Sequence, residues 1–160
     1  MDSTRNDLPA RQRSQLEQLL NARLADALDL EAASKQAHWN VKGPHFIALH
    51  ELFDQVHASI EQHVDTIAER ISALGGTAHG TVQAVASASS LAPYPQQISD
   101  GVEHLEALSD RLGDFGKKIR AAIAASDELG DADTADLFTG VSRDADKYLW
   151  FLEAQLQGQR

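Results

Sequence analysis

Four stretches of the chain carry apolar residues at a 3.6-residue period, separated by glycine, proline and acidic breaks, and no other feature limits the fold so strongly. The second stretch is the clearest. Phe46, Leu49, Phe53, Val56, Ile60, Val64, Ile67, Ile71 and Leu74 line one face of a helix of about eight turns. Gly43-Pro44 stands before it, and Gly75-Gly76 ends it. The first stretch runs from Pro9 to about Asn40 with Leu16, Leu19, Leu20, Leu24, Ala27, Leu28 and Glu31 in step, and Pro9 suits a first helical turn. A third helix is expected from near Ile98, carrying Val102, Leu105, Leu108, Leu112, Phe115, Ile119 and Ile123. After an acidic loop, Ser126–Asp133, a fourth is expected from Thr134, capped by Asp133. Its stripe is Leu137, Phe138, Val141, Tyr148, Leu149, Leu152 and Leu156, and Trp150 is expected in the core.

Residues 77–97 are small, polar and proline-containing, which makes them a long crossover with room for a short helix at Val82–Ala88. Two short connections and one long one describe an all-α, ferritin-like four-helix bundle better than an up-and-down bundle. The 160 residues hold one domain, residues 10–160, preceded by a short tail, residues 1–9, with no internal repeat. Twenty-five residues are alanine, so the helices pack closely but bury modest area. Some of their surface is therefore expected to be covered by other subunits.

The absence of cysteine excludes disulfide scaffolds, thiolate zinc sites and cysteine nucleophiles. A net charge of -10 repels nucleic acid phosphates and attracts cations. No apolar run approaches the roughly 20 residues of a membrane span. The first seven residues show no signal peptide, so the expected compartment is the cytoplasm.

Residues of metal-ligand type gather around the first helix–helix junction. His38 lies six residues before Pro44 and His50 six after, so an antiparallel hairpin sets the imidazoles level. Asp54 follows His50 by one turn. Asp65 and Glu69 form a second i, i+4 pair, beginning eleven residues after Asp54 and about 16 Å from it along the same helix face. Metal–ligand bonds are about 2 Å, so one ion cannot span both pairs within one chain. Antiparallel pairing of two second helices about Ser59–Ile60 would bring Asp65 and Glu69 of one copy to His50 and Asp54 of the other, giving two equivalent sites. Imidazole with carboxylate suits iron, admits zinc or manganese, and does not suit calcium. The alternative is that these are ordinary surface residues on helix faces. His50-Glu51-Leu52-Phe53-Asp54 lacks the second histidine of a zinc-protease helix, and no Glu-x-x-His occurs for a di-iron site inside one bundle.

Lys35-Gln36-Ala37-His38-Trp39-Asn40, Gly43-Pro44, the run Phe46–Asp54 and the run His63–Arg70 together resemble the Dps miniferritin family. Leu74-Gly75-Gly76, Asp133-Thr134-Ala135-Asp136 and Ser142–Trp150 extend the resemblance over nearly the whole chain after about residue 15. It implies a hollow homododecamer that stores iron as a ferric mineral. It also implies a ferroxidase centre with two irons at each two-fold interface, using Fe(II) and hydrogen peroxide in preference to oxygen as substrates. Its ligands would be His38, His50 and Asp54, with Asp65 and Glu69 from the neighbour holding the tighter iron. Trp39 would lie beside the centre, or pack as a core aromatic, or both. The remaining histidines, at 45, 57, 63, 79 and 104, are expected to be interface or surface residues, His57 sharing the face of His50.

The resemblance places Asp136 and Asp146 along a three-fold pore for iron entry, about 15 Å apart along a helix. Asp131 and Asp133 belong to the same acidic run and fit either that pore or a solvated loop and helix start, where carboxylates favour the macrodipole. Many family members bind DNA through a lysine-rich N-terminal tail. Here only Arg5 precedes Pro9, against Asp2 and Asp7, and the far end offers only Arg160. Weak or absent DNA binding is therefore expected. The alternative function is a DNA-binding, nucleoid-compacting protein of stationary phase.

Overall fold

The computed structural model describes residues 1–158; Arg160, the terminal cation noted above, lies outside them. Five helices follow one another: α1 (Ala10–Asn40), α2 (Phe46–Ala73), α3 (Val82–Ala88), α4 (Gly101–Glu128) and α5 (Ala132–Gln157). The described residues contain no strand, and a single parallel bridge ties Lys42 to Asp100. The hairpins α1–α2 and α4–α5 pack against each other, and the crossover lays α3 on α1.

The helix ends show why these segments stop where they do. After α2, Gly75 takes φ +82°, its N–H donates to the Ser72 carbonyl, and that of Gly76 reaches Ile71. This is a Schellman stop, which glycine forms without a Cβ penalty. Gly130 repeats it after α4 at φ +78°. Asp100 caps α4 by accepting from the Val102 N–H at 2.8 Å, so that helix begins at Gly101 rather than near Ile98. The acidic loop is also shorter than the sequence suggests, because Ser126–Glu128 remain helical. Helix α5 starts at Ala132, two residues earlier than expected, and its cap is Asp131 rather than Asp133. Asp131 wins because Arg70 of α2 holds both its oxygens at 2.8 Å while it also accepts from Thr134.

All four long helices feed one core, in which Phe53, Phe115 and Phe138 are fully buried. Trp150 is not part of it: the indole is 64% exposed, while Leu152 two residues on is fully buried. The chain before α1 folds back, with the Asp2 N–H donating to the Gly75 carbonyl at 2.7 Å, and Arg13 in the first turn of α1 donates to the Leu74 carbonyl. Helix α1 carries a polar seam as well as an apolar one. Its buried Asp26 pairs with Arg23 and accepts from the backbone and hydroxyl of Ser90, and Asp29 binds Arg111 and Ser89. These contacts pin the crossover to the bundle.

Candidate metal centre

The α1–α2 turn, with Gly43 at φ +114°, closes the hairpin and sets its register. The register stacks His38 on His50, with ring centroids 3.7 Å apart and planes at 21°. Each ring is held by the other residue's backbone. His38 Nδ1 lies 2.7 Å from the His50 carbonyl oxygen, and His50 Nδ1 lies 2.8 Å from that of His38. A carbonyl can only accept, so both Nδ1 atoms carry a proton, and in the neutral tautomer this selects the lone pair is on Nε2. The carbonyl of His38 belongs to the last turn of α1, where helix carbonyls lack intrahelical partners. The end of one helix thus orients an imidazole on the next.

Asp54 completes the group. Its carboxylate lies 3.9 Å from His38 Nδ1 and forms an ion pair with Lys35. That ammonium holds the Asp54 carboxyl below the usual carboxylate range. His38, His50 and Asp54 line one shallow depression with Glu51, Gln55 and Ala58. Asp65 and Glu69 lie farther along α2 with exposed side chains, and neither pairs with a Lys or Arg among the described residues. One chain therefore presents a two-histidine, one-carboxylate group at one end of a helix face and a two-carboxylate group at the other. Trp39, 66% exposed, packs in no core of the subunit.

The acidic residues read as a pore separate into two kinds. Asp133 and Asp136 are exposed on α5, and Asp146 is exposed but pairs with Arg120 at 2.9 Å. Asp131 is 4% exposed and spent on Arg70 and Thr134. Burial pushes its carboxyl up, but the hydrogen bonds and charge of those partners outweigh this and leave it below the ordinary range. The subunit places Asp131 as an internal anchor rather than an open acidic wall.

One group of metal-ligand type escaped the sequence analysis: Glu31, His57 and Glu61 each bring a ligand atom within 4.8 Å of the others. The available signal was register, since 31 and 57 are each seven residues farther from the turn than 38 and 50.

Comparison with known proteins agrees with this architecture. Residues 17–160 match the family model of the ferritin-like domain. The chain is 53% identical over 154 residues to a DNA protection during starvation protein of Agrobacterium fabrum, covering 96% of this chain and 95% of that one. DpsA14 from Streptomyces coelicolor superposes with a TM-score of 0.92 at 35% identity, over 97% of this chain and 92% of that one. The Dps protein from Vibrio cholerae, described as a member of a broad superfamily of ferritin-like diiron-carboxylate proteins, gives 0.91 at 25% identity, over 98% of both chains. No described helix is long and apolar enough to cross a membrane. With its two-hairpin bundle, its carboxylate- and histidine-bearing α2 and near full-length identity to such proteins, the chain belongs to the Dps family of ferritin-like proteins.

Proposed function

We propose that this chain oxidises Fe(II) at centres shared between two-fold-related subunits and stores the ferric product inside a closed homododecamer. Iron is the substrate and the cargo. His38, His50 and Asp54 would come from one chain, with Asp65 and Glu69 of the partner subunit opposite, two irons being held between them. The observation that carries this proposal is the reciprocal His38–His50 pair, which engages both Nδ1 atoms and holds the two imidazoles in one open depression with Asp54. Such preorientation is what metal-binding imidazoles require. The exposed Trp39, Ile47, Val82 and Trp150 support assembly, since large apolar side chains at the surface favour burial between copies.

Carboxylates stabilise the ferric product more than the ferrous substrate, which drives the oxidation forward. Hydrogen peroxide is the oxidant in this proposal: two Fe(II) each lose one electron, the O–O bond breaks, and two protons complete two waters. Oxygen is the slower alternative. Zinc or manganese would occupy the same ligands and compete. Asp133, Asp136 and Asp146 would focus Fe(II) toward the interior, with Asp131 supporting α5 from within. This work would be done in the cytoplasm, against oxidative damage.

The decisive experiment adds Fe(II) anaerobically to metal-free protein, then peroxide, while ferric absorbance is followed. Fast oxidation with about two Fe(II) consumed per peroxide, lost in His38→Ala/His50→Ala, supports the proposal. A rate equal to that in buffer refutes it. DNA compaction is the second reading, favoured by the name of the Agrobacterium relative. The acidic charge and the Asp2/Arg5/Asp7 segment oppose it. A gel shift showing tight complexes at about 0.15 M salt would restore it.

A further inference from the structure

We infer that Glu31, His57 and Glu61 form a second site for a divalent first-row transition ion, complete within one subunit and separate from the shared centre. The α1–α2 register creates it. The turn that sets His38 level with His50 also sets Glu31 level with His57, two helical turns or about 10 Å deeper along the hairpin. Glu61 follows His57 by one turn and shares its face. One ligand atom from each side chain lies within 4.8 Å of the other two. An ion with bonds of about 2.1 Å needs its ligands drawn closer than that, and Glu61, with its exposed side chain, is free to close in.

Charge and orientation both point to a cation. Glu31 and His57 are partly buried, and no Lys or Arg pairs with either carboxylate among the described residues. Asp54, by contrast, has Lys35. His57 Nδ1 stands 3.9 Å from the Glu31 carboxylate and 3.4 Å from the Glu31 carbonyl oxygen, a looser form of the ring-to-carbonyl contact at His38 and His50. Burial raises the Glu31 pKa, and the charge of Glu61 adds to that rise while His57 opposes it. Two carboxylates turned toward one another with one imidazole are relieved by a divalent ion. One nitrogen and two carboxylates suit Zn(II), Fe(II) or Co(II), and the imidazole disfavours calcium and magnesium.

Co(II) is the probe that tests this, added to metal-free full-length protein carrying His38→Ala/His50→Ala/Asp65→Ala/Glu69→Ala, so that both halves of the shared centre lose their ligands. The expected result is about one Co(II) retained per chain with a visible ligand-field spectrum. Affinity should then fall by about tenfold or more in an added Glu61→Gln or His57→Gln change. Glu61 packs in no core of the subunit, and native mass spectrometry of the Glu61→Gln protein checks that its assembly is unchanged. An unchanged Co(II) count in both added variants overturns the inference, as does no retained Co(II) in the parent. Crystals of the unmutated protein soaked in Co(II) provide a check free of mutation. An anomalous peak among Glu31, His57 and Glu61 supports the site, and peaks only elsewhere refute it. None of these readouts uses iron oxidation, so failure of the proposed function leaves the test intact.

Discussion

His38 and His50 exchange hydrogen bonds, each ring Nδ1 donating to the other's carbonyl oxygen, at 2.7 and 2.8 Å. The pair acts as a clasp across the α1–α2 hairpin and sets the ring orientation and the neutral tautomer of both imidazoles. Replacing His50 with alanine removes one prospective ligand, its bond to the His38 carbonyl and the stacked ring, while the backbone carbonyl that His38 Nδ1 binds stays in place. Stability should fall by about 1 kcal/mol for the lost hydrogen bond. Metal affinity should fall by about tenfold to a hundredfold, more than loss of a clasp alone would give. Denaturation and Co(II) titration of the same variant separate the two effects. Equal metal binding by His50→Ala and the parent would remove the pair from the site.

Lys35 competes with any metal ion for Asp54, since the two side chains are ion-paired. At neutral pH Asp54 is ionised with or without Lys35, so Lys35→Met removes a competing charge without removing the ligand. Fe(II) or Co(II) affinity should rise by about fivefold, the effect of one nearby charge at a wet surface. The pH dependence moves the other way. Lys35 depresses the Asp54 pKa by hydrogen bonding and charge, so Asp54 in the variant takes up its proton at a higher pH. Metal binding by Lys35→Met should therefore weaken earlier on acidification than binding by the parent. Titrations at several pH values read both effects, and a weaker affinity at neutral pH would show that Lys35 positions Asp54 rather than competes for it.

The helices were legible because each has an apolar face whose period needs no tertiary information. Their exact ends were less so. Asp131 and Asp133 are equally good caps by composition, and the choice rests on Arg70, sixty-one residues away in sequence. The anchoring of the crossover by Asp26 and Asp29 is hidden for the same reason, since Ser90 and Ser89 stand sixty-four and sixty residues off. Trp150 misled because an aromatic in an amphipathic helix looks like core, yet its neighbour Leu152 fills the inward position. The His38–His50 group could be foreseen because a short turn carries its register. Glu31, His57 and Glu61 obey the same register but are spread over more sequence, so only side-chain positions drew them together.

The Arg70–Asp131 pair links α2 to the start of α5 in a nearly closed environment. Removing the arginine leaves a buried carboxylate without its cation, so Arg70→Ala should cost about 3 kcal/mol. The folded pKa of Asp131 lies below its unfolded value of about 3.9. Its stabilising contribution is therefore complete above that value and is lost as pH falls through it toward the folded pKa. Asp131→Asn should flatten the acid limb of the stability curve, measured by denaturant unfolding between about pH 2 and 5. An unaltered acid limb would mean that other carboxylates govern it.

Asp65, the nearer of the second pair, is about 16 Å along α2 from Asp54, a distance no single ion bridges within one chain. If the centre is shared, its two halves can be broken in different subunits. A dimer combining one His50→Ala chain with one Asp65→Ala chain holds one centre with both lesions and one with neither. Either variant alone should be inactive in peroxide-linked Fe(II) oxidation, while mixed assemblies recover part of the parent activity. The recovered fraction should follow the proportion of hybrid interfaces, measured by native mass spectrometry on differently tagged chains. Hybrids verified by mass that stay inactive would mean that the ligands do not meet across the interface, and the two ends of α2 would then need separate explanations.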